Sequence, residues 1–231
     1  MTHDPAPRSA SRQDPGLAEL LGGRAGAVDA SVPVVAFVLA WLVAGWAGSA
    51  FPINWGAGAA VVAGAGTALW RLRQGRKPRA VLFGLAGVVL AAGIALATGR
   101  ASDFFLVQIV SNAGSALAWA ISTVVRWPLL GVIVGGLLGQ RTRWRRDPDL
   151  LRGYQRASWA WVFQYVVRLA VFLPLWAADQ VLLLGLARTI VSPVLVGLSV
   201  LVSWPLLRTA LPRDHPGIRH PRVTGADPGS R

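Results

Sequence analysis

The chain contains no cysteine, which excludes disulfides and thiolate metal sites and leaves the redox compartment unread. Of its 23 basic residues only Lys77 is a lysine. With the heavy use of Ala, Gly and Val, that bias points to a GC-rich bacterial genome and not to a mechanism. Charged residues make up 14% of the sequence, where a soluble domain carries about a quarter. The three histidines (His3, His215 and His220) sit in polar tails, so no apolar segment offers an imidazole to a metal or a proton relay. There is no HExxH, no glycine-rich phosphate loop before a lysine, no pair of intramembrane carboxylates and no serine with a histidine in reach. The chain reads as a non-enzymatic protein with no cofactor and no metal site.

What is present is apolar. Hydrophobic residues form 54% of the chain, gathered into six long runs at about 32–49, 55–72, 80–98, 104–125, 158–178 and 181–207. A helix needs roughly 20 apolar residues to cross the hydrocarbon layer. The runs lack the period-two alternation of a membrane strand, so the expected fold is all-α: a polytopic bundle of six transmembrane helices over 28–208. Residues 1–27 and 209–231, rich in Pro, Asp, Arg and Gly, are expected to be disordered tails.

The net charge of +13 raises nucleic acid as a partner, but its distribution argues for a membrane surface. Arg71, Arg73, Arg76, Lys77 and Arg79 lie between runs two and three. Arg126, Arg141, Arg143, Arg145, Arg146, Arg152 and Arg156 lie between runs four and five, and Arg208, Arg213, Arg219, Arg222 and Arg231 follow run six. The other connections carry only Arg100, Asp103 and Asp179. Basic and near-neutral loops alternate, as retention of Lys and Arg in the cytoplasm requires. Both termini are therefore expected in the cytoplasm, with the chain in the inner membrane. The basic loops would hold anionic lipids, and membrane proteins or a second copy are possible partners.

One stretch, 127–139 (WPLLGVIVGGLLG), is apolar but too short to cross. Pro128 should end the preceding helix, and Gly131, Gly135 and Gly139 share a face. It is either an interfacial or a re-entrant helix. Trp41, Trp46, Trp55, Trp70, Trp127, Trp144, Trp176 and Trp204, with Trp159 and Trp161, are expected in the aromatic belts. Ser102-Asp103 reads as an N-cap opening run four.

A charge at mid-bilayer costs several kcal/mol, which makes Arg168 the residue to explain. It lies roughly 15 Å from either surface of its run, so it should face the bundle interior, and no acid is placed to meet it. Gln108, Ser111, Asn112 and Ser115 recur at spacings of three and four, forming one polar stripe. Gln164 extends the polar face beside Arg168, while Arg188 and Ser192 add to it from run six. Arg100 and Asp103 form an outer pair. Two readings stay open for this set: a structural hydrogen-bond network, or a polar cavity that binds a substrate or lipid headgroup.

Several stretches, LGGRAGAVDASVPVVAF (21–37), ASDFF (101–105), RWPLLG (126–131) and TRWRRDP followed by WAWVFQYVVRLAVFLPLW, resemble an actinobacterial membrane family catalogued as domain of unknown function 3159. A more distant resemblance is to the bacterial intracellular septation protein A family, carried by Arg126-Trp127-Pro128, Trp161 and Arg188. The second resemblance implies a role in cell-envelope organisation through protein partners. The alternative is a small transporter or permeability factor with an anion-binding cavity around Arg168.

Overall fold

The computed structural model describes residues 23–212, 215–218 and 221–222. Most of the expected N-terminal tail (1–22) and the residues after 222 lie outside this set. Among the described residues every regular element is a helix. In order they are α1 (Gly23–Trp46), α2 (Pro52–Arg73), α3 (Pro78–Thr98) and a 3-10 turn (Ala101–Phe105) that runs into α4 (Leu106–Val124). Then come the short α5 (Leu129–Leu137), a second 3-10 turn (Arg143–Arg146) and the long α6 (Pro148–Ala177). The last is α7 (Val181–Leu186), which continues through a π-helical segment (Ala187–Val191) into α8 (Ser192–Ala210).

The helix ends are written in the sequence. Pro52, Pro78 and Pro148 occupy first-turn positions of α2, α3 and α6, where a missing N–H costs nothing. Left-handed residues follow α1, α2, α4, α5 and α6: Gly48, Gly75 and Gly139, but also Arg126 (φ 59°) and Asp179 (φ 55°). At each of the five the next N–H reaches back to a carbonyl five residues earlier, as in Trp127 N to Ser122 O at 2.8 Å, a helix-closing turn that glycine normally serves.

Four stretches are long and apolar enough to cross a membrane: Pro78–Thr98, Ala101–Val124, Pro148–Ala177 and Val181–Ala210. The apolar part of α1, Ser31–Trp46, is shorter. Helix α2 has the length, but Gly56, Gly58, Gly64 and Gly66 dilute its hydropathy. Exposure is inverted relative to a soluble protein. Leu39, Val62, Phe83, Val110, Phe163 and Leu201 face outward, while Asn112, Ser158, Gln164 and Arg168 are buried. That is the pattern of a chain solvated by lipid.

Packing divides into two clusters. The larger one joins α1, α2, α3, the first 3-10 turn, α6 and α7 around Phe37, Phe104, Phe105, Phe172 and Leu184, with the Phe37 and Phe104 rings stacked at 4.0 Å. Gly56 lets α2 approach α1 closely: a Cβ there would stand 3.0 Å from the Phe37 carbonyl oxygen. The smaller cluster caps the opposite end of α6 with Trp144, Leu150, Tyr154 and Leu207, against which Leu130, Val134 and Ile218 pack.

Several expectations change here. Helix α6 starts at Pro148, ten residues before the expected run, because Asp147 caps it through hydrogen bonds from the Asp149 and Leu150 N–H groups. Trp144 is not a belt residue: it is fully buried, and Gly131 and Gly135 make room for its indole. The glycine face of α5 thus receives a side chain and not another helix. Trp161 is internal too, stacked on Trp119 at 5.0 Å and donating to Ser203 Oγ. The segment after Ala210, expected to be disordered, docks by its described residues. His215 and the Arg222 N–H bond to Asp147 Oδ2, and Ile218 O accepts from Gln140 Nε2 at 2.8 Å.

Candidate intramembrane polar site

Helix α6 carries Gln164 and Arg168 one turn apart, both buried, while Phe163, Val166 and Leu173 face outward. Arg168 Nη2 donates to the Ser192 carbonyl at 2.7 Å and to Gln164 Oε1 at 3.4 Å. Its guanidinium lies 5.4 Å from the centre of the Tyr165 ring. On α4, Gln108 Nε2 donates to Asn112 Oδ1 at 3.0 Å, and Gln108 Oε1 accepts from Arg188 Nη1. Arg188 and Ser192 are one turn apart on the last long helix, so they join the two halves of the network.

The π segment sets the direction of Arg188. Pro193 follows it, and in a regular α-helix its ring would crowd the carbonyl four residues back and leave that carbonyl without a donor. The wider turn over Ala187–Val191 relieves the crowding and turns Arg188 toward α4. Arg188 lies seven residues and Arg168 nine residues from the turn joining α6 and α7, so both sit roughly 10–15 Å below that end of the bundle.

The two guanidinium groups repel each other, and neither makes an ion pair among the described residues. Asn112 Nδ2, Gln164 Nε2 and Arg168 Nε are buried without a hydrogen-bond partner in the protein. A site with two cations and three unpartnered donors, one of them Arg168's own Nε, is short of acceptors, and buried donors left so are costly. A cleft of about 200 Å³ leads to it from the side, walled by Pro33 and Val34 of α1 and by Phe83, Gly84 and Gly87 of α3, with Gln108, Ser111 and Arg188 at its polar end. Chemically the arrangement can hold an anion that carries an apolar body. No group of three or more metal-ligating side chains occurs among the described residues.

Of the expected site residues, Gln108, Asn112, Gln164, Arg168 and Arg188 come together. Ser111 lines the cleft but is exposed, so it borders the network without belonging to its buried part. Asp103 does not join: it is buried and accepts from Trp176 Nε1 at 2.7 Å. Arg100 donates to the Trp176 carbonyl and lies 5.2 Å from its ring. The outer pair therefore clamps Trp176 and opens no cavity. Nor does Asp103 cap a helix, since neither the 3-10 turn nor α4 has a side-chain cap bond. The cleft wall on α1 and α3 was missed. Its only sequence signal is the close spacing of Phe83, Gly84 and Gly87, which leaves a notch beside a large ring.

Comparison with curated proteins and with solved structures returns no match. The family described as Protein of unknown function (DUF3159) matches residues 21–214, a stretch that holds every residue of the polar site and the buried residues Trp144, Leu150, Tyr154 and Leu207 of the capping cluster. The chain belongs to that family.

Proposed function

We propose that this chain is a non-enzymatic inner-membrane protein that binds an anionic amphiphile, a lipid or lipid-like molecule, in the cleft ending at Arg188. Its role is in envelope organisation with lipid and membrane-protein partners. The observation that carries the reading is the half-buried Arg188 at the polar end of an apolar, side-opening cleft, with the buried Arg168 and three unpartnered donors beyond it. The resemblance to the septation family supports the envelope role.

The test is a photo-crosslinking residue in place of Phe83, which is 81% exposed beside the cleft. In mixed bilayers it should capture phosphatidylglycerol in preference to phosphatidylcholine, and Arg188→Gln should reduce that preference roughly tenfold, the loss of one charge-assisted contact. Capture that mirrors the bulk lipid ratio in both proteins would sink the reading. A second reading, a small anion transporter, is supported by the donors beyond the cleft, Asn112 Nδ2, Gln164 Nε2 and Arg168 Nε. It requires anion flux in proteoliposomes that Arg168→Gln abolishes.

The reading includes six crossings with both ends in the cytoplasm, supported by the loop charges. The chain has no cysteine, so single cysteines report topology cleanly. Gln74→Cys and Thr142→Cys should resist an impermeant thiol reagent in intact cells, whereas Ser49→Cys and Asp179→Cys should react. Labelling of Gln74→Cys from outside would overturn the orientation.

A further inference from the structure

A second basic site lies at the other end of the bundle, where α4 stops and α6 begins. An open cleft of about 520 Å³ is lined by Thr123 and Arg126 from the end of α4, and by Arg152, Gln155, Arg156 and Trp159 from α6. Gln155 Nε2 donates to the Thr123 carbonyl at 3.2 Å and ties the two walls together. Arg152 pairs with Asp149 at 2.9 Å. The guanidinium groups of Arg126 and Arg156 make no hydrogen bond or ion pair to a described residue. Three guanidinium groups less one paired carboxylate leave two net positive charges in one cleft.

Arg126 has a further peculiarity. It occupies the left-handed position closing α4, with φ 59°. The equivalent positions after α1, α2 and α5 are Gly48, Gly75 and Gly139, and after α6 the short side chain of Asp179. A side chain there is held against a steric penalty that glycine avoids, so its backbone alone does not account for an arginine. The helix C-terminus favours a cation, but that would not bring Arg152 and Arg156 to the same cleft. Val124 and Val125, beside Arg126, are exposed apolar residues, and Trp159 is half exposed. The cleft therefore sits on the boundary between the lipid-facing surface and water.

We propose that this cleft binds a membrane lipid whose headgroup carries two phosphates, with Arg126 and Arg156 holding the phosphates and Trp159 at the acyl boundary. The inference rests on the membrane reading above but not on the Arg188 cleft, and the two sites are separable by substitution. The experiment uses the full chain in neutral detergent with added cardiolipin, and native mass spectrometry to count retained lipid. The wild type should keep one cardiolipin in excess of a phosphatidylcholine control. Arg156→Gln and Arg126→Gly should each weaken retention roughly tenfold, while Arg76→Gln, in the exposed loop between α2 and α3, leaves it unchanged.

Arg126→Gly should retain or raise thermal stability, since it relieves the left-handed strain, so loss of binding without loss of stability separates recognition from folding. If Arg126→Gly fails to fold, Arg156→Gln decides. Unchanged retention in Arg156→Gln would overturn the proposal. Competition by pyrophosphate at the same concentration as cardiolipin would also overturn it, because the source would then be a soluble anion.

Discussion

Replacing Asp147 by alanine should lower stability by about 2–4 kcal/mol, the combined loss of a helix N-cap and of hydrogen bonds to a buried carboxylate. The carboxylate is 1% exposed. Its Oδ1 accepts from the Asp149 and Leu150 N–H groups at 3.1 and 3.2 Å. Its Oδ2 accepts from the Arg222 N–H at 2.8 Å and from His215 at 2.9 Å. His215 Nδ1 accepts from the Gly217 N–H at 3.0 Å, so the ring proton is on Nε2 and points at Asp147. Burial alone would raise the Asp147 pKa, but the Arg222 N–H, the His215 ring and the Leu150 N–H together outweigh it and hold the pKa below its ordinary value.

The sign for stability follows. A depressed carboxylate contributes fully above its unfolded pKa, about 3.9, and its contribution is lost as pH falls through the lower folded value. Hydrogen exchange should therefore show the Gly217 and Arg222 N–H groups protected at neutral pH in the wild type and released in Asp147→Ala or in acid below about pH 4. Asp147→Asn should release the same segment, because an amide places N–H groups where the Arg222 N–H needs an acceptor. Protection that survives Asp147→Ala would show that the segment is held by other contacts.

Gly135→Val should be more damaging, at about 3 kcal/mol or more once overpacking and the partial loss of a buried tryptophan are combined. A Cβ on Gly135 would stand 2.5 Å from Trp144 Cδ1, 2.6 Å from its Nε1 and 3.0 Å from the Arg141 carbonyl oxygen. The indole has nowhere to go: its Nε1 donates to that carbonyl at 3.0 Å, and its ring meets Tyr154 edge-on at 5.4 Å. Gly136, one residue on, has open space around it, so Gly136→Ala should be neutral or gain up to about 1 kcal/mol from helix propensity. Thermal unfolding in detergent compares the two directly. Equal effects at 135 and 136 would mean that the glycine face of α5 is not a socket for Trp144. In a double variant, Trp144→Leu should recover part of the Gly135→Val loss, since the two residues share one space.

The helices and the inward direction of Arg168 were legible because each depends on local pattern: run length, residue type and depth along a helix. Gln108, Asn112 and Gln164 were legible as a stripe for the same reason. What stayed hidden depends on distant partners. Residues 215–222 read as a polar tail because nothing near them in sequence predicts Asp147, 68 residues away from His215. Trp144 matched the boundary position of a belt residue, and only the glycines of α5 decide that it is buried. Asp103 had the spacing of an N-cap but found Trp176 instead. Arg188 was legible as a member of the polar set but not in its direction, which is set by how the helix relieves Pro193 and has no signature at single-residue level.

The π segment also bears on how this helix tolerates changes in length. A π turn holds one residue more than the α turn it replaces, so Ala187–Val191 amounts to an insertion absorbed in place, with α7 and α8 keeping their own registers on either side. Leu184 and Ser199 are buried on their respective faces on either side of it. Removing one residue from this stretch restores a continuous α-helix and carries Arg188 about 100° around the axis, away from Gln108. The bundle can thus gain or lose its second arginine by a one-codon change in length, without repacking either half of the helix.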